Sequence, residues 1–143
     1  MINYSVDITI DRPAADVFPY LADVSQHPAW MGGTYAAPIS EGSMRVGYRY
    51  RQSTDEGDWE FEITEFEAGR LFSARTITGP VDWTGTFEVL PNEPQDSRVV
   101  SRGSIRLLGI RRLLEPFAGG EVRKSELGEL VRLKALVEGD AVQ

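Results

Sequence analysis

The sequence predicts an α+β fold: a curved antiparallel sheet of about seven strands wrapped around a long C-terminal helix, with two short helices between the first two strands. Three observations carry this. Residues 1–11 alternate apolar and polar without a break. Strand patterns separated by turn residues fill the middle of the chain. A broad apolar stripe at helical spacing occupies its end.

In the opening strand Ile2, Tyr4, Val6, Ile8 and Ile10 share one face. Asn3, Ser5, Asp7, Thr9 and Asp11 share the other, a period of two that marks a half-buried strand. Pro13 suits a first helical turn, where its missing N–H is no loss. Ala14, Val17, Phe18 and Leu21 follow at helical spacing, so 13–23 reads as a helix. Pro19 inside it removes a hydrogen bond at ~3 kcal/mol or more and predicts a kink or two short pieces. Ser25-Gln26-His27-Pro28-Ala29-Trp30 reads as a second short helix, capped by Ser25 and ended by Gly32-Gly33.

From Thr34 to Arg106 the pattern is strands and turns. Tyr48, Tyr50 and Gln52 alternate with Gly47, Arg49 and Arg51. In Trp59-Glu60-Phe61-Glu62-Ile63-Thr64 the rings point inward and the carboxylates outward. Trp83, Gly85, Phe87 and Val89 form one face of another strand, and Val99, Ser101, Gly103, Ile105 and Leu107 one face of the last. Turns at Glu41-Gly42, Asp55-Glu56-Gly57-Asp58, Ala68-Gly69, Thr78-Gly79-Pro80 and Pro91-Asn92-Glu93-Pro94 make this an antiparallel meander. The final helix shows Leu127, Leu130, Val131, Leu133, Lys134, Leu136 and Val137 as its stripe. Gly119-Gly120, at ~1 kcal/mol each inside a helix, predicts a start near Glu121 or a bend there.

Composition excludes several function classes. The 143 residues suit one domain, 1–143. Fifteen basic and twenty-two acidic side chains give a net charge of −7, which argues against nucleic-acid backbones and anionic membrane surfaces. With no Cys and one His, thiolate chemistry and multi-histidine metal sites are absent, and no cofactor is expected. No stretch approaches the ~20 apolar residues of a membrane span. Met1-Ile2-Asn3-Tyr4 opens no secretion signal, so a cytoplasmic protein is expected.

A bent sheet gripping one helix leaves space between them, and large rings that line it without filling it make a cavity for an apolar molecule. Trp30, Tyr48, Tyr50, Trp59, Phe61, Trp83, Phe87 and Phe117 are the candidate wall, with Leu130 and Lys134 from the last helix. The plain alternative for the rings is ordinary core. Tyr48 and Tyr50 are the candidate polar handles. Lys134 either snorkels outward or meets a ligand carbonyl or carboxylate. His27 is the one side chain whose ordinary pKa suits acid–base work, against the plainer reading of an exposed or capped surface imidazole near the cavity mouth. Arg98, Arg102, Arg106, Arg111 and Arg112 read as partners of Asp7 and Asp11 on the outer sheet face, or else as an anion patch. Glu60, Glu62, Glu65 and Glu67 read as a solvated sheet surface.

Four stretches carry a family resemblance. They are Ile8-x-Ile10-Asp11-Arg12-Pro13-Ala14-x-x-Val17-Phe18, Leu21-Ala22-Asp23-x-x-x-x-Pro28-x-Trp30, Glu41-Gly42-x-x-x-Val46-Gly47-x-Arg49 and Leu130-x-x-Leu133-Lys134-x-x-Val137-Glu138. In this order the chain resembles the polyketide cyclase/dehydrase and lipid-transport family of the START-like (helix-grip, Bet v 1-like) superfamily. The resemblance implies a ligand cavity and carries no catalytic residue with it. Three functions are then expected in turn. The first is binding of a small hydrophobic or amphipathic molecule. The second is an aromatase/cyclase-type enzyme drawing on Tyr48, Tyr50 or His27. The third is a protein-interaction module whose cavity is collapsed onto Trp59 and Trp83. An outer edge strand could pair with a second copy as a homodimer.

Overall fold

The alternation at the N-terminus builds β1 (Ile2–Ile10), the edge of the sheet. The computed structural model describes residues 1–33 and 35–140, so Thr34 and residues 141–143 lie outside the described residues. Helix α1 (Ala14–Ala22), a 3₁₀ turn (Val24–Gln26) and α2 (His27–Met31) follow. Then come β2 (Tyr35–Pro38), β3 (Arg49–Thr54), β4 (Gly57–Glu67), β5 (Leu71–Thr78), β6 (Asp82–Glu93) and β7 (Asp96–Arg106). A second 3₁₀ segment (Gly109–Leu114) leads into α3 (Glu115–Asp140). Among the described residues the seven strands form one antiparallel sheet in the order β1-β7-β6-β5-β4-β3-β2. The meander is closed by β1 pairing with β7, Ile2 opposite Ile105 and Ile10 opposite Ser97. Register shifts between Glu60 and Phe61, and between Ile63 and Glu65, fall where the sheet bends.

Three helical expectations need correction. First, α1 runs unbroken through Pro19. Pro19 is exposed, so its ring meets solvent and not the core, and the helix ends one residue beyond its last turn with the Asp23 N–H on the Pro19 carbonyl at 3.2 Å. Second, Ser25 is not the cap. The Asp23 carboxylate accepts from the Ser25 backbone N–H at 3.0 Å and from its hydroxyl at 2.6 Å, which winds a 3₁₀ turn ahead of α2. Third, α3 starts at Glu115 and continues through Gly119-Gly120. Pro116 is preorganised for a first turn. The Glu115 carboxylate accepts the Leu107 N–H at 2.8 Å and pairs with the Met1 ammonium, anchoring the start.

The core lies between the concave face and the helices. Ile10, Val17, Leu21, Phe72, Phe87, Val99, Leu130 and Leu133 are all buried in it. The apolar stripe of α3 is turned from the expected one. Leu127 and Val131 are 42% and 52% exposed, whereas the inward face reads Val122, Glu126, Glu129, Leu130, Leu133 and Val137. At its far end α3 is tied to β1. The Glu138 carboxylate accepts the Asp11 N–H at 2.9 Å, and Lys134 donates to the Thr9 carbonyl at 3.2 Å and to Glu138. In the middle, Arg132 Nε donates to the Trp30 carbonyl at 2.9 Å.

Candidate ligand-binding cavity

Between the sheet and α3 lies a cavity of about 810 Å³. Its sheet wall is built from inward positions of β3, β4 and β6: Tyr50, Trp59, Phe61, Trp83 and Phe87. Phe61 is the hub. Tyr50 stacks on it at 5.1 Å, Trp59 at 5.6 Å, and Trp83 meets it edge-on at 5.6 Å. The hollow is therefore walled by rings and not filled by them, contrary to the collapsed alternative.

Two facing glycines explain why the rings lie down. Gly85 of β6 and Gly103 of β7 are register partners, and Gly103 is also the partner of Tyr4. A Cβ on Gly85 would stand 2.3 Å from the Trp83 ring, and one on Gly103 2.8 Å from the Tyr4 hydroxyl. In the space left, Trp83 Nε1 donates to Tyr4 Oη at 2.7 Å. Trp59 lies over Gly79 in the same way, a Cβ there being 2.7 Å from its ring, and donates Nε1 to Thr54 Oγ1 at 3.0 Å.

The helix wall carries Val122, Ser125, Glu126, Glu129 and Arg132. Glu126 and Glu129 sit one turn apart on the same face, beside each other. Burial pushes both carboxyls above the ordinary carboxylate range, and the neighbouring Glu126 charge raises Glu129 further. Each carboxyl therefore resists ionising while the other is charged. Across from it, the phenol of Tyr4 is pushed up by burial and then by Glu126, and that of Tyr50 by burial and then by Glu129. Ser101 Oγ, 1% exposed, lies close enough to Glu126 and Tyr4 to influence both, yet has hydrogen-bond geometry to neither.

The structure brings part of the expected site together. Tyr50, Trp59, Phe61, Trp83 and Phe87 line the cavity. Trp30, Tyr48 and Leu130 are buried in the core beside it: Trp30 packs edge-on against Phe87 at 5.3 Å, and Tyr48 carries the Arg45 guanidinium 5.8 Å above its ring. Phe117 is corrected: it is 83% exposed, on the outer side of the first turn of α3. Lys134 takes the structural of its two readings and not the ligand-binding one: its ammonium is held by the Thr9 carbonyl and Glu138 at the edge of β1.

His27 is neither exposed nor at the mouth. It is wholly buried behind Tyr50 and Phe72, at ring separations of 5.5 Å and 6.1 Å. Nε2 donates to the Leu21 carbonyl at 2.7 Å, tying α2 to the end of α1, while Nδ1 has no partner. Burial brings its pKa down to about 4, so the ring is neutral at physiological pH. Among the described residues, only Arg98 of the expected arginine partners pairs with Asp7, at 2.6 Å; Arg102 pairs instead with Glu88 of the neighbouring strand at 3.0 Å, and Asp11 lies beside Arg12.

Sequence reasoning missed Glu126, Glu129, Arg132, Gln52 and Tyr4 as site groups. A signal was present: Val122, Glu126, Glu129, Leu133 and Val137 recur at spacings of three and four, with two acids inside an apolar series.

A family model described as polyketide cyclase/dehydrase and lipid transport matches residues 1–138. Comparison with curated proteins finds no match. Among solved structures, the chain is similar to the di-domain aromatase/cyclase BexL of the BE-7585A biosynthetic pathway, with a TM-score of 0.78 and 23% identity over 96% of this chain. It spans 47% of that chain, about half its length. It is similar to the protein TTHA0849 from Thermus thermophilus, with a TM-score of 0.80 and 17% identity over 96% of this chain and 98% of that one. It is also similar to the Zhui aromatase/cyclase from Streptomyces sp. R1128, with a TM-score of 0.74 and 17% identity over 95% and 93%. These likenesses establish the helix-grip fold. No helix among the described residues is long and apolar enough to cross a membrane.

Proposed function

We propose that this chain, which belongs to the polyketide cyclase/dehydrase and lipid-transport family, binds a small ring-bearing amphipathic molecule between its sheet and α3. The observation that carries this is the ring-lined cavity of about 810 Å³. It falls within the roughly 300–1,000 Å³ of small-molecule sites, apolar on most sides with a few convergent polar groups. Burial of the guest's apolar area at ~25 cal/mol per Å² supplies most of the affinity. Tyr50, Gln52 and the acidic pair on α3 orient it. Native mass spectrometry of protein purified from expressing cells tests the reading. A co-purifying small-molecule mass, or a thermal shift from members of an apolar panel, supports it. Neither result from an intact fold would sink it.

A second reading, a cyclase-type enzyme, draws on Glu126 and Glu129. One carboxylate would take a proton from carbon beside a ketone while its protonated neighbour donates to the ketone oxygen, giving an enol. The nucleophilic enol carbon would then attack a second carbonyl of the folded chain. Turnover of a poly-β-ketone thioester by the intact protein, lost in a folded Glu126→Gln variant, separates this reading from simple binding.

A further inference from the structure

The cavity's charge is one-sided. Asp55, Glu56, Glu121, Glu126 and Glu129 line it, and Arg132 is the single base among the described lining residues. Its Nε is held by the Trp30 carbonyl, and its charge lowers the Glu129 carboxyl somewhat without forming a salt bridge to it. Neither Glu126 nor Glu129 forms a salt bridge with a Lys or Arg among the described residues, and Glu129 is only 9% exposed. A buried acidic pair without a bound cation is costly unless a proton or a guest supplies the positive charge.

The opposite wall points the same way. Trp59, Phe61 and Trp83 present ring surface to the hollow. Ring faces carry the negative end of the aromatic quadrupole and attract cations, Trp most strongly. Ser101, 1% exposed and close to Glu126 and Tyr4, adds a buried hydroxyl beside the pair.

We propose that the cavity selects an organic cation, with an apolar ring-sized body against Trp59, Phe61 and Trp83 and a protonated amine seated at the Glu126–Glu129 pair. The inference rests on the binding reading above and adds the chemical class of the guest. An anion of the same shape meets repulsion from the ionised members of those five carboxyl groups. A neutral analogue keeps the ring contacts and loses the ion pair.

Proton linkage gives the proposal a sign. The free pair holds a proton because burial and mutual repulsion resist full ionisation. A cation favours the ionised form, so binding expels that proton and affinity rises with pH through the pair's raised titration, while the amine stays charged. The groups facing the pair are Tyr4 from β1, Tyr50 from β3, Ser101 from β7 and Arg132 from α3, with Asp55, Glu56 and Glu121 also lining the hollow. The phenols are pushed up and stay neutral in this window, so neither reverses the slope.

Three probes of one shape test this: naphthylethylamine, naphthylethanol and naphthylacetate, titrated calorimetrically into the intact protein. The amine is expected to bind at least about tenfold tighter than the alcohol, a difference of about 1.4 kcal/mol. Its affinity should increase with pH, with proton release seen as a dependence on buffer ionisation enthalpy. In the isosteric double variant Glu126→Gln/Glu129→Gln the amine's advantage over the alcohol should disappear. Alcohol binding equal to or tighter than the amine's, or amine affinity that falls with pH, overturns the cation proposal and leaves the cavity reading standing. If none of the three binds to folded protein, the cation proposal fails, while the binding reading is decided by the co-purifying mass and the apolar panel.

Discussion

Trp83 donates its indole hydrogen to the Tyr4 hydroxyl at 2.7 Å, above the facing glycines Gly85 and Gly103. This bond lays the largest ring of β6 against the sheet and keeps the cavity open. It also joins β1 and β6, which flank β7, through side chains.

Adding a methyl at either glycine disturbs this arrangement, to different degrees. Gly85→Ala collides with the Trp83 ring at 2.3 Å, so the ring must lift into the hollow. We expect a stability loss of roughly 1–3 kcal/mol and at least about tenfold weaker probe binding. Gly103→Ala meets the Thr84 carbonyl at 2.4 Å, a backbone atom that cannot rotate away, and should lose more stability than Gly85→Ala. Urea unfolding of the two variants checks the order; equal stabilities would contradict it.

His27 is the chain's one histidine, so its ring protons give a single unambiguous NMR titration. With its pKa brought down to about 4 in the fold, against an ordinary value of 6.5, the unfolded chain binds the extra proton first. The stabilisation from keeping it neutral is complete above pH ~6.5 and lost as pH falls towards ~4, about 3 kcal/mol in all. A titration midpoint near the ordinary histidine value would refute this.

Glu129 has the opposite sign. Its folded pKa lies well above the ordinary value because it is buried beside Glu126. Its favourable contribution is complete below the unfolded pKa and is lost as pH rises through the raised one. Glu129→Gln should therefore gain roughly 1–3 kcal/mol at mildly alkaline pH and gain little in acid. Unfolding free energies measured across pH decide it, and a uniform gain would count against the assignment.

Gly119 and Gly120 lie inside α3, with nothing within 4 Å of a Cβ at either position. Replacing each with Ala should raise stability by ~1 kcal/mol through lower backbone entropy in the unfolded chain. Denaturation midpoints of the single and double variants measure this. No gain in either would mean that the turn needs glycine for a reason outside its packing.

Much of the architecture was legible because strand alternation is a local signal. Trp59, Phe61, Trp83 and Phe87 faced the cavity because a period of two leaves a side chain only two faces. The helix was harder. Its inward stripe contains Glu126 and Glu129, so a reading that follows apolar residues alone rotates towards Leu127 and Val131 and misses the acidic pair. Phe117 looked like wall for the same reason: hydrophobicity marks an apolar side chain but not which side of a helix start it takes. His27 was misplaced because its burial depends on the Leu21 carbonyl, an acceptor that no composition pattern announces. Pro19 was tolerated because the face it occupies meets water.

The fastening of α3 decides how a guest would come and go. The helix is bolted to β1 and the β7 exit at its two ends, through Glu138 with Lys134 and through Glu115, and to α2 midway by Arg132. A beam held at three points is a poor door. Asp55 and Glu56 at the hairpin tip line the hollow together with Ala118 and Glu121 of the opening turns of the beam, so residence time should follow the suppleness of that hairpin and not the undocking of the helix.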